Sequence, residues 1–488
     1  MRIDLVALAP ELILTGVLCA VLTLDLFLPE NRKNLLMPAS FVGVLATLVA
    51  VLNLAGDQRT TLGGMFVVDP FAVLFKVVFC AAALIVFMIS HDYLKDDEIH
   101  QGEYYTMILC SLLGMLTIAS SRDLIPIFVA LELISLPAFV LAGLRKGDLK
   151  SNEAALKFFL FGVLSTTVML FGMSLIYGIT GVTNLAAIAS SLATHTMAAS
   201  MPAMKAVVTL SIFFIIVGFG FKVSAFPFQW WVPDTYEGAP VPVAAFLSVA
   251  SKTAGFVGLL QIMFIAFGGL ADVWRPFLAL VAVLTMFFGN LVAMQQRNLI
   301  RMLAYSSIGQ AGYILLPLGV ASATNADINK QAMLAATTYL LIYAFMESGA
   351  FATAIAFGRK GNGYMISNYS GLFSRAPALA TAMTVFLFSL AGVPPLAGWA
   401  AKFYVFRAVI NGGGYWLAAA MAVNTVIALF YYAAIVRRMF FESSEEKQTV
   451  SVPLLLKGGI AVMAVVVVVV GILPELFGGL AGDAGLHF

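Results

Sequence analysis

The sequence predicts an all-α polytopic membrane protein of about fourteen transmembrane helices, and three observations carry that prediction. Of its 488 residues, 61% are hydrophobic and only 11% are Asp, Glu, Lys or Arg, against roughly 25% charged residues in a soluble domain. Mean hydropathy is +0.98, more apolar surface than one water-soluble core can hide. The apolar residues also fall into stretches near the ~20 residues that a helix needs to cross a bilayer. A soluble enzyme and a disordered chain are thereby excluded. With 27 basic against 25 acidic residues the net charge is only +2, so no nucleic acid is implied as a partner.

The predicted spans are 8–28, 35–55, 70–91, 104–121, 123–144, 153–178, 204–227, 241–267, 274–294, 299–319, 332–357, 376–410, 414–438 and 453–473. The first has one Arg before it and no small-residue cleavage site, and reads as a retained helix rather than a removed signal peptide. The last is rich in Val, but in lipid a helix is the only single-segment solution.

Basic residues set the orientation. Connections after odd-numbered spans hold Arg32, Lys33, Lys95, Arg145, Lys146, Lys150, Arg297, Arg301, Arg359, Lys360, Arg375, Arg437, Arg438, Lys447 and Lys457. Connections after even-numbered spans, with the termini, hold only Arg2, Arg59, Arg122, Lys205, Arg275, Lys330 and Arg407. The positive-inside rule then puts both termini on the periplasmic side of a bacterial inner membrane. No organellar transit peptide precedes the first span.

No cofactor site is legible. Cys19, Cys80 and Cys110 lie in apolar stretches without CxxC spacing and read as small hydrophobes. His91, His100, His195 and His487 form no i, i+4 pair of the kind a haem or metal needs. Neither nucleotide-binding glycine motif is present.

Two spans are interrupted. After Lys222 the sequence FPFQWWVPDTYEGAPVP carries Pro227, Pro233, Pro240 and Pro242, which forbid a continuous helix. In SLAGVPPLAGWAAKFY, Gly392, Pro394 and Pro395 break the twelfth span, and Lys402 follows. The two lysines are 180 residues apart, five spans at about 36 residues each. An odd number of spans turns the second copy upside down, the pattern of inverted-repeat transporters. The chain is accordingly divided into helices 1–3 (1–103), a first five-helix repeat (104–267), a second, inverted repeat (268–440) and helix 14 with its tail (441–488). Prolines that merely kink helices for packing are the plainer alternative.

A charge at mid-bilayer costs about 3 kcal/mol on the lenient insertion scale, so each one needs an explanation. Lys76 is near enough to the end of its span to snorkel. Lys157 follows Glu153 by four residues, the spacing of a helix-surface ion pair, and is a weaker candidate for a proton path. Glu132, in IPIFVALELISLPAF, is too deep to snorkel, and Lys222 is its natural partner. Lys252 is flanked by small residues that leave room for water or a close helix. An ion pair with a carboxylate keeps a buried lysine charged, and opening the pair readies it to release its proton. Glu132, Lys222, Lys252 and Lys402 therefore form a candidate proton relay. Glu347, in LIYAFMESGAF, is a weaker candidate, with Lys402 as a possible neighbour. A set of static interhelical salt bridges is the alternative.

The run WWVPDTYEGAPVPVAAFLSVASKTAGF, with Lys222 just before it, resembles the signature of the antiporter-like subunits of respiratory complex I, the NADH–quinone oxidoreductase. The resemblance covers the whole chain. It implies proton translocation driven by quinone reduction elsewhere, with Glu132, Lys222, Lys252 and Lys402 on the family's functional positions. Lys402 matches a lysine expected at the exit side, where one sibling has a glutamate. NADH, FMN, iron–sulfur clusters and quinone would belong to other subunits, and the partners would be neighbouring membrane-arm subunits. Glu347 departs from the family pattern, so no role carries over to it. A subunit of a multisubunit cation/proton antiporter and a purely structural membrane scaffold are the competing readings.

Overall fold

Backbone amides and carbonyls in hydrocarbon must find partners within their own segment, and every predicted span is built of helix, two of them with an interruption. The computed structural model describes residues 3–97, 99–198, 202–359, 363–443 and 450–485, the side chains of 195–198 and 202 excepted. The chain opens with α1 (Ala9–Phe27) and α2 (Leu36–Leu52). A short antiparallel hairpin of β1 (Arg59–Thr61) and β2 (Phe66–Val68) then leads into α3 (Pro70–Asp96). Next come α4 (Gln101–Ser120), α5 (Leu124–Ala142), α6 (Leu149–Thr180), α7 (Leu185–Ala198), α8 (Pro202–Val223) and α9 (Trp231–Gly238). α10 (Val241–Phe246) passes through a π-helical turn (Leu247–Ser251) into α11 (Lys252–Gln261) and a second π turn (Ile262–Ala266), making one rod.

The second half holds α12 (Ala271–Ala293), α13 (Leu299–Leu315), α14 (Ala326–Gly358), the single turn α15 (Leu372–Arg375), α16 (Pro377–Ala391) and α17 (Ala397–Asn411). It closes with α18 (Tyr415–Phe441), α19 (Leu454–Ile472) and α20 (Glu475–Asp483). Among the described residues, 12 helices are long and apolar enough to cross a membrane. α13, which continues as a 3-10 turn to Val320, and the α16–α17 pair supply the remaining two predicted spans. The structure adds α7, α20 and the hairpin, all too short to register as spans in the sequence.

Asx residues start many of these helices. Asp69, Asp123, Asp148, Asn298 and Asn325 each accept an amide of the following first turn, satisfying donors that the helix itself leaves free. The Val241–Ala266 rod is buried along its whole length and α14 nearly so, whereas α1, α6 and α18 each expose one face. The interior is thus built around the rod and α14.

The interruptions fall where the prolines stand. α8 stops at Val223, Ser224 is left-handed (φ 64°), and the chain re-enters a helix at Trp231. α16 stops at Ala391, and Gly392 turns the chain at φ 91°, a conformation that suits only glycine. Local backbone bonds, such as Ala225 N–H to the Gly220 carbonyl and Val393 N–H to the Phe388 carbonyl, take up some of the freed groups, and side chains claim others. Thr285 Oγ1 accepts the Phe226 amide at 2.9 Å, and the Trp231 indole donates to the Phe221 carbonyl at 3.2 Å. Gln310 and Lys402 donate to the carbonyls of Leu390 and Ala391.

One expectation is overturned here. Lys76 does not snorkel: it is fully buried, and its Nζ lies 2.7 Å from Glu11 Oε1 on α1. Glu11 stands in the first turn of α1, within reach of α3, so an ion pair across the helices replaces a reach to water. Arg2, Lys360, Lys447 and His487 lie outside the described residues, as does the His195 side chain.

Candidate functional site

Lys222 sits in the last turn of α8, facing α5. Its Nζ donates to Ser135 Oγ at 2.9 Å, and the residue is 5% exposed. Gly255 on α11 makes room for it, since a Cβ there would stand 2.7 Å from Lys222 Cγ. Glu132, one turn before Ser135, acts on Lys222 only through space. The expected contact ion pair is therefore replaced by a hydroxyl contact. Glu132 is half-buried beside the exposed Val129 and Leu136, and its Oε1 has no protein partner. Glu132 borders the exposed stripe of α5 with its Oε1 itself buried, while Ser135 faces Lys222.

Lys252 follows the π turn directly, at 1% exposure. Its Nζ donates to both the carbonyl and the hydroxyl of Ser307 on α13, each at 2.9 Å. An extra residue in a helical turn re-aims the side chains that follow it, and such turns recur at functional positions. One turn before Lys252 on the same rod, Ser248 donates to Glu347 Oε1 at 3.0 Å and contacts the Tyr343 hydroxyl at 3.0 Å. Glu347 is fully buried, and its charge interacts with that of Lys252. Its neighbour is thus Lys252 rather than Lys402, because the α14 register carries it to the rod instead of the second break.

Lys402 lies in the second turn of α17, and its side chain reaches back to the second break. Its Nζ donates to the Ala391 carbonyl at 2.8 Å, and rests 4.5 Å from the centre of the Tyr313 ring. A cation there meets the negative end of the α16 dipole as well as a π face. Pro394 and Pro395 hold the break open; Pro227 does so in the first.

Polar side chains fill the space between Lys252 and Lys402. Ser306, next to Ser307, hydrogen-bonds the Tyr432 hydroxyl. Gln310 Nε2 reaches Tyr432 at 3.5 Å and the Leu390 carbonyl at 3.1 Å, while the Tyr339 hydroxyl donates to Gln310 Oε1. Ser306, Gln310 and Tyr313 form one stripe of α13 at helical spacing. That spacing was the available sign of an inward polar face, and sequence reading passed over it.

A second cluster stands at the end of the bundle where α9 meets α6 and α13. Asp234 Oδ2 lies 2.6 Å from Lys157, and its Oδ1 2.8 Å from Arg301. Arg301 also holds Glu237 at 2.9 Å. Lys157 keeps the expected Glu153 at 2.7 Å. Partial burial pushes the Asp234 carboxyl up, but hydrogen bonds from Lys157 and Arg301 outweigh it and hold it below its ordinary value. The cluster pins the second half of the broken helix to two unbroken ones.

Residues 121–428 match the family described as NADH:quinone oxidoreductase/Mrp antiporter, TM. NADH-quinone oxidoreductase subunit N of Trichlorobacter lovleyi is 41% identical over 413 residues, 84% of this chain and 82% of that one. The chain belongs to the subunit N family. Respiratory complex I from Thermus thermophilus contains a similar chain, with a TM-score of 0.80 and 29% identity over 98% of this chain and all of the other. The Mrp complex from Dietzia also contains one, with a TM-score of 0.86 at 20% identity over 99% and 97% of the two chains. That second likeness is one of fold. Within the subunit N family frame, the lysines of the two broken helices and of the buried rod all point inward, and Glu132 stands at the edge.

Proposed function

We propose that this chain is a proton-translocating membrane-arm subunit of an NADH–quinone oxidoreductase, driven by quinone reduction in other subunits. Those subunits carry the NADH, FMN, iron–sulfur and quinone chemistry, and neighbouring membrane-arm subunits flank this one. The chain crosses a bacterial inner membrane with both termini on the periplasmic side, and its two five-helix units are inverted copies. Protons pass along Glu132, Lys222, Lys252 and Lys402, with Glu347 biasing Lys252.

The observation that carries the reading is how the three lysines are held. Among the described residues none of them forms an ion pair; each donates to neutral oxygens, Ser135, Ser307 and the Ala391 carbonyl. A contact carboxylate would trap the ammonium, whereas a serine hydroxyl both donates and accepts. It can hold either the ammonium or the free amine, so the proton leaves without orphaning its partner. Ser306, Tyr432 and Gln310 supply exchangeable polar groups between the second and third lysines.

Lys252→Met and Lys402→Met, each in the intact complex in proteoliposomes, test the proposal. Both are expected to assemble and to lower the protons moved per NADH oxidised. Unchanged pumping in both variants overturns the relay. Purification from native membranes tests the assembly: redox subunits come with the chain, and their absence favours a stand-alone cation/proton antiporter.

A further inference from the structure

A cleft of about 460 Å³ opens between α12 and α18, beneath the loop of residues 363–371, and none of the three lysines lines it. Its rim carries Arg297 and Arg438, and its walls include Met294, Phe430 and Ile435. The loop above is tied down by hydrogen bonds from the Leu299 amide to the Tyr364 carbonyl and from the Ile366 amide to the Arg297 carbonyl. The Arg297 guanidinium has no ion-pair or hydrogen-bond partner among the described residues. Arg438 has only a long 3.9 Å approach from Glu442, itself outside the lining. Both arginines lie on the side that the basic-residue distribution assigns to the cytoplasm.

We infer that this cleft binds an anionic phospholipid of the cytoplasmic leaflet. Two guanidinium groups above an apolar wall fit a phosphate in a bidentate, charge-assisted grip, with the acyl chain running down against Phe430 and Ile435. Basic pockets between transmembrane helices on that side bind such heads in general. A proton intake would repel its cargo at a doubly cationic mouth, so the charge favours an anion. The cleft also touches the polar interior. Tyr431 lines it, and the Tyr431 hydroxyl donates to Asn290 Oδ1 at 3.1 Å. Asn290 in turn reaches the Tyr313 hydroxyl at 3.5 Å, and the Tyr313 ring carries Lys402. A lipid seated here lies over that line of contacts and keeps bulk water from it.

The test uses the intact complex in vesicles containing a photoactivatable phosphatidylglycerol or, separately, a photoactivatable phosphatidylcholine. Phosphatidylglycerol is expected to label peptides spanning 290–302 and 430–438, and phosphatidylcholine to label them weakly. Arg297→Gln with Arg438→Gln is expected to cut the phosphatidylglycerol labelling about tenfold. Ala434→Trp, which keeps both arginines and fills the floor, is expected to cut it too and serves if the double variant fails to assemble. Equal labelling by the two lipids overturns the inference, as does labelling unchanged in the variants. So does a photoreactive residue at position 430 that crosslinks to another subunit.

Discussion

Ser307 is the residue on which the middle of the bundle turns. It offers Lys252 two oxygens at 2.9 Å, one of them a hydroxyl. Ser307→Ala should slow NADH-driven proton pumping by about tenfold, the worth of one hydrogen bond to a charged group, and Ser307→Thr should restore most of it. Gly255→Val puts methyls where Lys222 already stands, since even a Cβ would be 2.7 Å from Lys222 Cγ. It should destabilise the membrane domain by about 1–3 kcal/mol, read as a fall in the detergent-solubilised complex's melting temperature. The lysines themselves were legible in the sequence because a charge in hydrocarbon is costly enough to stand out. Ser307, Gln310 and Tyr432 were not. Hydroxyls and amides are cheap in a span, and only the rotation of α13 and α18 reveals that these ones face inward.

At the scale of elements, the two broken helices were visible as prolines, yet what holds each half in place was not. Asp234 pins α9 to α6 and α13 through Lys157 and Arg301. Asp234→Asn should speed hydrogen exchange in 231–238 several-fold without changing the rest of the bundle. The pH sign follows from the lowered carboxyl. The clamp is at full strength above the ordinary carboxylate value of 3.8, and is lost as pH falls below it through the depressed folded value. Exchange in 231–238 should therefore be flat from pH 5 to 8, once corrected for intrinsic rates. The Lys76–Glu11 pair makes the opposite point about α1 and α3. Glu11→Gln leaves a buried ammonium unpaired and should cost about 3–5 kcal/mol, whereas Lys76→Met with Glu11→Leu together should cost far less. Equal melting temperatures for the single and double variants would sink that account. Sequence placed Lys76 near a span end and stopped there, because the partner lies on another helix.

For the whole molecule, orientation is the property most open to a direct test. Arg59→Cys in the hairpin should react with a membrane-impermeant maleimide in cells whose outer membrane is permeable, and Arg145→Cys only after the inner membrane is opened. The reverse pattern would invert the topology and move the lipid cleft to the other leaflet. Sequence by itself determined that the chain lives in a membrane as a bundle of about fourteen helical segments, where prolines interrupt two of them, and most of the ionisable groups within, Glu11 excepted. Those follow from hydropathy, proline chemistry and the cost of charge in lipid, all local to a segment. Tertiary structure alone decided the partners. It put Lys222 on Ser135 rather than Glu132, Glu347 beside Lys252 rather than Lys402, and Lys76 on Glu11 rather than in water. Each outcome depends on how neighbouring helices rotate and slide against one another, and a uniformly apolar span carries almost no amphipathic signal from which to read its rotation.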